Sequence, residues 1–486
     1  MIAISNILET YDQGKLSIDR NSIIANSHQI QFENILFDGF LEWNDTKALQ
    51  IDEYDIEIIE NSNSMRNNIN TYRNLPKLTN FIVSSISISP LKKENHFINF
   101  KQKFSRINRI IFKDCIFNYN PMITDNKIWS IDFQKCTFLE GENLAKGLLG
   151  KSEEGKRIYF NECIFEDFNI GDIGDIQYNR DIELCRFYLV GGEIQNLTIE
   201  NIEIASKFYI NKQYSGNSKQ MKIENLTMKN LIFKENFKLH NCEVNKVIIE
   251  DTDFEKHADF FMSIFKEGLN DEEENDKSIN YKALNFKGLA LFGDCEFRQL
   301  LKFQYVTFEN FSHFRRAKFL KGLDLDYTNI QKEMNFFDIE GLDSPESRCN
   351  TSQETYRIIK HNFSKIGNTI EANKYHTLEL TIHNKKTWEQ RELTPTLLSD
   401  GIVSFLFWVT SYFSKYWFLP LFWIFIIGTI TASVIGEVSL VNIIKYATIT
   451  KMDYMDNYPI LFVLNKSSLG FLYYQFILSV RKNTRK

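Results

Sequence analysis

Proline and glycine are scarce in this chain, 7 and 21 of 486 residues, which argues against disorder. No Cys-x-x-Cys pair occurs among the seven cysteines, so a zinc site lacks the spacing it needs. The histidines, His28, His96, His240, His257, His313, His361, His376 and His383, fall in no HExxH, in no HxE with a downstream PCxxC, and beside no GxSxG elbow. His376 and His383 lie seven apart on an expected helix and share a face, but the pattern supplies no carboxylate partner, and they read as surface residues. A Walker loop and a GxGxxG are also missing. The expectation is a protein that is not an enzyme and uses no metal or cofactor. The opening residues, MIAISNILETYDQGK, have neither the basic nor the apolar region of a signal peptide, which places the N-terminal part in the cytoplasm.

What the chain does have is phenylalanine, 42 residues, with Ile and Asn recurring beside it, a composition that favours strands. Net charge is −6, yet residues 401–486 hold eight Lys/Arg against three acids, so the first 400 residues carry −11. An acidic body on a basic, apolar tail suits a protein that faces the cytoplasm with its tail in an anionic membrane.

Around the cysteines one pattern returns: an apolar residue, two variable ones, a small one, a variable one and a second apolar residue. FKDCIF (112–117), FQKCTF (133–138), FNECIF (160–165) and FGDCEF (292–297) obey it, and looser copies centre on Ile35, Cys185, Leu231 and Cys242. Cys295, Val306, Ala317 and Thr328 hold the central slot at a constant step of eleven. Fixed-step self-similarity marks a solenoid, and alternating large and small inward residues fit a narrow coil. Six cysteines (115, 136, 163, 185, 242, 295) share the slot and read as small hydrophobes. The charged residues between them, Lys113-Asp114 and Asn161-Glu162 among them, read as solvated surface rather than general acids or bases.

These units resemble the pentapeptide-repeat family over residues 25–340, best from 292 to 340, with Phe for the central Leu and Cys for Ala. The resemblance implies a right-handed, four-sided β-helix, each step of eleven being two five-residue faces and one corner residue. The expected fold is mainly β: an irregular β region or cap (1–110), the solenoid (111–341), a helical linker (342–400), and interfacial and transmembrane helices (401–486).

In the linker, residues 342–351 read as a loop. Ser352 then precedes Tyr356, Ile359, Phe363 and Ile366 at helical spacing, Gly367-Asn368 breaks the run, and Ile370, Leu378 and Ile382 give a second helix ending before Thr394-Pro395. Residues 354–375 are similar to a helix pair that follows β-helix repeats in bacterial membrane proteins of this build.

Residues 416–436, YWFLPLFWIFIIGTITASVIG, form an uncharged run long enough to span a bilayer. Residues 401–414 are apolar but short, and lie along the interface. A second crossing at 458–480 carries Asn465, Lys466, Ser467 and Ser468; either Lys466 lines a pore, or the helix starts near Ser467. Lys385, Lys386 and Arg391 before the first crossing, and Arg481, Lys482, Arg485 and Lys486 after the second, put both ends in the cytoplasm, joined by a short external loop over 437–457. One hairpin cannot enclose a pore, so conduction requires a ring of copies.

Arg298, Lys302, Arg315, Arg316, Lys318 and Lys321, interleaved with Phe303, Phe311 and Phe314, read as a basic strip for a polyanion, or simply as a solvated face. Residues 267–277, EGLNDEEENDK, are an acidic insertion with no assigned ligand. The whole build resembles the membrane channel effectors of bacterial anti-phage systems, Hailong-type systems with a nucleic-acid-gated channel among them. That resemblance implies an oligomeric pore in the bilayer held by a sensing domain, with a single-stranded nucleic acid or nucleotide signal and a regulatory protein encoded nearby as partners. The alternative is a membrane-tethered protein-binding scaffold that conducts nothing. A DNA-mimicking pentapeptide inhibitor of topoisomerase would instead be a soluble, uniformly acidic rod.

Overall fold

The computed structural model describes residues 2–3, 23–25, 29–33, 35–37, 40–44, 85–89, 108–117, 121–123, 128–139, 156–171, 186–211, 220–269, 276–389, 395–436, 438–449 and 458–484. Two compact units emerge, Met1–Lys321 with Tyr327–Gly341, and Gly322–Asp326 with Leu342–Lys486. The first is a parallel β-solenoid.

Its register follows the phenylalanines. Phe32, Phe112, Phe133 and Phe160 stand in line on successive coils, and Leu189, Ile210 and Leu239 continue the column. Beyond them Phe260, Phe292, Phe314 and Phe336 stack at 4.7, 4.9 and 5.5 Å. A second column runs through Phe117, Phe138 and Phe165 (5.0 and 4.8 Å) and a third through Phe233, Phe254, Phe286 and Phe308 (5.2, 5.0 and 5.1 Å). These rings are essentially fully buried. Each contributes about 1.5–3 kcal/mol by leaving water, and stacking adds about 0.5–1.5 kcal/mol per pair. The column begins at Phe32, so the coil reaches into a region whose sequence matches the repeat poorly.

The coil repeat is 22 residues rather than eleven: Ala290 pairs with Ser312 and Ser312 with Met334, while Phe297 pairs with Phe319. The step of eleven is therefore half a turn, and Cys295 and Val306 occupy opposite corners of one coil. From Phe112 onward, every coil longer than 22 residues contains one of the intervals 140–155, 172–185, 212–219 or 270–275, all outside the described residues. The acidic insertion is one of these; its stem is closed by the Gly268 amide on the Lys277 carbonyl at 3.0 Å and by a Lys277–Glu267 ion pair at 2.9 Å.

Both corners use one device. Asp114, Lys135, Glu162, Asn241, Met262, Asp294 and Arg316 adopt left-handed backbone with φ between 51° and 58°, and each immediately precedes the small inward residue. Asn201, Asn230, Asp251, Ala283 and Tyr305 do the same at the opposite corner. Asn, Asp and Gly tolerate this conformation best, so the residues that read as mere solvated surface have a conformational role.

The small residue also donates. Sγ of Cys115, Cys136 and Cys163 points at the carbonyl of Phe32, Phe112 and Phe133 on the preceding coil, at 3.5, 3.4 and 3.5 Å, and Cys295 reaches Phe260 at 2.9 Å. Ser263 takes the slot between Cys242 and Cys295, with its hydroxyl 2.5 Å from the Leu239 carbonyl. A slot that accepts Cys or Ser wants a compact donor, not only a small hydrophobe. Five of the six expected cysteines are found there; Cys185 lies outside the described residues, and register gives the slot of its coil to Gly192, paired with Cys163.

Residues 1–110, where described, add an antiparallel pair, Ile23–Ala25 on Gln29–Glu33, and a separate three-stranded sheet of Phe40–Asn44, Ser85–Ser89 and Met122–Ile123.

In the second unit the segment read as a loop holds a short helix, α1 (Pro345–Asn350), because Ser344 caps it and Pro345 opens it. Helix α2 (Gln353–Lys365) starts at the Ser352 cap and α3 (Thr369–Glu389) follows Gly367, which takes φ 79°. Thr351 and Thr355 accept the amides of Leu323 and Leu325, at 3.2 and 2.8 Å, so two hydroxyls satisfy backbone that a further strand would otherwise pair. Helices α4 (Pro395–Ser411), α5 (Phe418–Ile435), α6 (Leu440–Tyr446) and α7 (Pro459–Thr484) complete it.

Thermal melting monitored by circular dichroism checks both halves of the corner device. Cys136→Ser should shift stability by less than about 1 kcal/mol, while Cys136→Leu overfills the slot and costs about 1–3 kcal/mol. Ala283→Gly should stabilise by about 0.5–1 kcal/mol, since glycine relieves the left-handed strain.

Candidate functional site

Helix α5 is the one described helix long and apolar enough to cross a membrane. Its 18 residues rise about 27 Å, close to the hydrocarbon thickness. Leu421, Phe422, Phe425, Ile430 and Val434 face outward, whereas Ile424, Gly428, Thr431 and Ala432 face α6 and α7. Gly428 is needed there: a Cβ would sit 2.7 Å from the Ile443 carbonyl of α6. The helix ends at Gly436 in left-handed backbone, φ 85°. Residues 401–414, expected at the interface, fall mostly within α4, which is bonded to both neighbours. The Trp423 indole donates to the Val409 carbonyl at 3.0 Å, and Ser411 donates to Gln475 Oε1 at 3.1 Å.

The stretch expected as an external loop contains α6, started by the Ser439 hydroxyl on the Asn442 amide; Glu437 and residues 450–457 lie outside the described residues. Helix α7 begins at Pro459, so it does not start at Ser467, and it is too polar to meet the criteria that α5 meets.

Those polar residues have partners within the chain. Asn465, 3 % exposed, donates to Thr431 Oγ1 at 2.9 Å and to the Tyr446 carbonyl at 3.2 Å. Lys466 donates to the Thr448 carbonyl at 2.7 Å, and Tyr473 Oη to the Ala447 carbonyl at 3.1 Å. Three successive carbonyls at the C-terminal end of α6, left without intrahelical donors, thus receive side chains from α7. A cation at this end also opposes the helix dipole. Ser467 is exposed and Ser468 half-buried, so the four consecutive residues fan around the helix and do not line one wall.

The hairpin of α2 and α3 engages the other end of α7: Asn373 Nδ2 donates to the Lys482 carbonyl at 2.9 Å. Arg391, Arg485 and Lys486, expected to set orientation, lie outside the described residues.

Four of the six cations of the expected basic strip are paired with acids. Arg298 pairs with Glu296 at 2.8 Å, Lys302 with Asp276 at 3.0 Å and Lys318 with Glu340 at 3.1 Å. Arg316 grips Asp294 with two bonds, 2.5 and 2.7 Å, which holds that carboxyl below its ordinary value. Arg315 lies over the Phe337 ring at 5.3 Å and Lys321 is also engaged. Phe303 and Phe314 are core residues and offer no surface for stacking. A different group, Arg157, Arg186 and Lys207 in one row with Lys238 in the row beside it, has no carboxylate partner among the described residues. Its irregular spacing in sequence conceals it until the coils are registered.

His376 does have a carboxylate partner, contrary to the sequence expectation: its Nδ1 is 3.4 Å from Glu379. Glu379 is 8 % exposed and also binds Arg357 at 3.1 Å and Lys360 at 2.6 Å, tying α2 to α3. Burial alone would raise its carboxyl; His376, Lys360 and Arg357 instead hold it at about 2, against an ordinary 4.5. The stabilisation is complete above pH 4.5 and is lost as pH falls toward 2, on the order of 2 kcal/mol. In helical melting curves, wild type should lose midpoint over that window. Glu379→Gln should start lower at pH 7 and lack the fall.

Set against known proteins, the chain matches no family model, no curated protein and no solved structure.

Proposed function

We propose that the chain is an oligomeric membrane effector, in which a cytoplasmic β-solenoid receives a signal and the C-terminal helices of several copies form a gated pore in a bacterial inner membrane. The observation that carries this reading is the bond from Asn373 to the end of α7. A displacement of the hairpin pulls on the helix whose Asn465, Lys466 and Tyr473 hold α6 in place. The hairpin and α6 are thereby linked through one rigid rod of 26 residues. The likeness to anti-phage channel effectors supplies the biological setting, abortive infection, with a polyanionic signal as the trigger.

One observation favours a second reading, a tethered scaffold that conducts nothing: Lys466 is satisfied inside a single chain, as an anchor requires.

Induced expression in bacteria with a membrane-potential dye separates the two. Lys466→Met, which strips Thr448 of its donor, should depolarise cells at lower induction than wild type, and Asn373→Ala should change the induction threshold. Should wild type and both variants reach the membrane fraction and leave the potential unchanged, the scaffold reading stands.

A further inference from the structure

Parallel register places Arg157 beside Arg186 and Phe187 beside Phe208, so that Arg186 and Lys207 also adjoin. Tyr159, Tyr188 and Tyr209 form an adjacent row on the same outward face, continued on the next coil by Lys238. Neighbouring coils are about 4.8 Å apart, so cations and rings advance together along the stacking axis for roughly 15 Å over four levels. The Arg157 guanidinium lies 5.4 Å from the Tyr159 ring and 5.5 Å from that of Tyr188, and Lys238 Nζ lies 5.0 Å from Tyr209. On this face the next outward positions are Asn161, Val190, Asn211 and His240, and the carboxylates of the two longest strands, Glu162, Glu166, Asp167, Glu193, Glu200 and Glu203, come at or after the following corner. Carboxylates with partners of their own bracket the row: Asp132, paired with Arg109, one coil before, and Asp259, 2.5 Å from His240 Nε2, on the boundary after it.

Three cations in line without a carboxylate partner among the described residues, with Lys238 at the end of the tyrosine row, are unusual in a body of charge −11 where four of the six cations of the expected basic strip are matched to an acid. Alignment of like charges raises the energy of the free protein and is relieved by a linear polyanion. A bilayer presents a plane and needs cations spread over one. Duplex DNA hides its bases from rings. A flexible strand with phosphates on one edge and bases on the other matches a row of cations beside a row of tyrosines. We infer that this row, Arg157, Arg186, Lys207 and Lys238 with Tyr159, Tyr188 and Tyr209, binds single-stranded nucleic acid along the solenoid axis. The inference deepens the signal-receiving half of the proposed function and rests on it, but binding is read without any membrane potential, so failure of the pore and failure of the site are separable.

The test is fluorescence anisotropy of the full chain in detergent with a labelled mixed-sequence single strand of about 16 nucleotides. Arg157→Gln/Arg186→Gln/Lys207→Gln should weaken binding at least about tenfold and lower the slope of log K against log salt by about 2. Tyr159→Leu/Tyr188→Leu/Tyr209→Leu should weaken binding while leaving that slope in place, which separates base stacking from phosphate contact. Arg298→Gln/Arg316→Gln, with paired cations, should remain within about twofold of wild type. Circular dichroism confirms the fold of each variant; if the triple change unfolds, Arg186→Gln alone should lower the slope by about 0.7. The site is overturned if the glutamine variant binds the strand as tightly as wild type. It is equally overturned if wild type ignores the strand and binds only inorganic polyphosphate or vesicles of anionic phospholipid.

Discussion

Everything in the solenoid depends on one two-residue constraint: a left-handed residue followed by an inward one, which at one of the two corners is most often a compact donor. The left-handed residue turns the backbone at the corner, and the donor then meets a carbonyl of the coil before it. With the corner fixed in this way, the flanking apolar residues have only one direction to point, and the phenylalanine columns follow. Burial of the rings contributes more than their stacking, but without the corner there is no register in which rings could stack.

That constraint explains what the sequence shows openly and what it conceals. FKDCIF and its relatives expose the corner because the small residue and its two apolar neighbours are local to one another. The step of eleven is equally visible, but it reports half a coil, since the two corners of a 22-residue turn use the same chemistry. Register across coils is harder to see, because four intervals of different length separate residues that end up adjacent. Arg157 and Arg186 are neighbours for that reason and look unrelated in sequence. The converse holds at Arg316 and Lys318, whose acids, Asp294 and Glu340, lie on neighbouring coils and stand far off in sequence.

The C-terminal helices teach a related lesson. A lysine flanked by asparagine and serines on an apolar helix invites the idea of a water-filled lining, because polar groups in hydrocarbon need a reason. The reason found within the chain is the exposed end of α6: a short helix wedged between two longer ones leaves carbonyls that only side chains can reach. No periodicity in α7 could reveal this, since the need originates in a different segment, one whose seven helical residues read as loop. The boundaries of α2 and α3, by contrast, were plain from Ser352 and Gly367, because capping is written within a few residues of the end it serves.

The excess length of the longer coils carries a final implication. Because every added stretch enters between corners and leaves the corners themselves intact, the rod can lengthen its edges without losing alignment, whereas adding a partial turn would rotate every later column out of line. A lineage built on this plan gains height in whole turns and variety in the stretches added between corners. Its mechanical frame and its recognition surfaces are thus free to diversify at different rates.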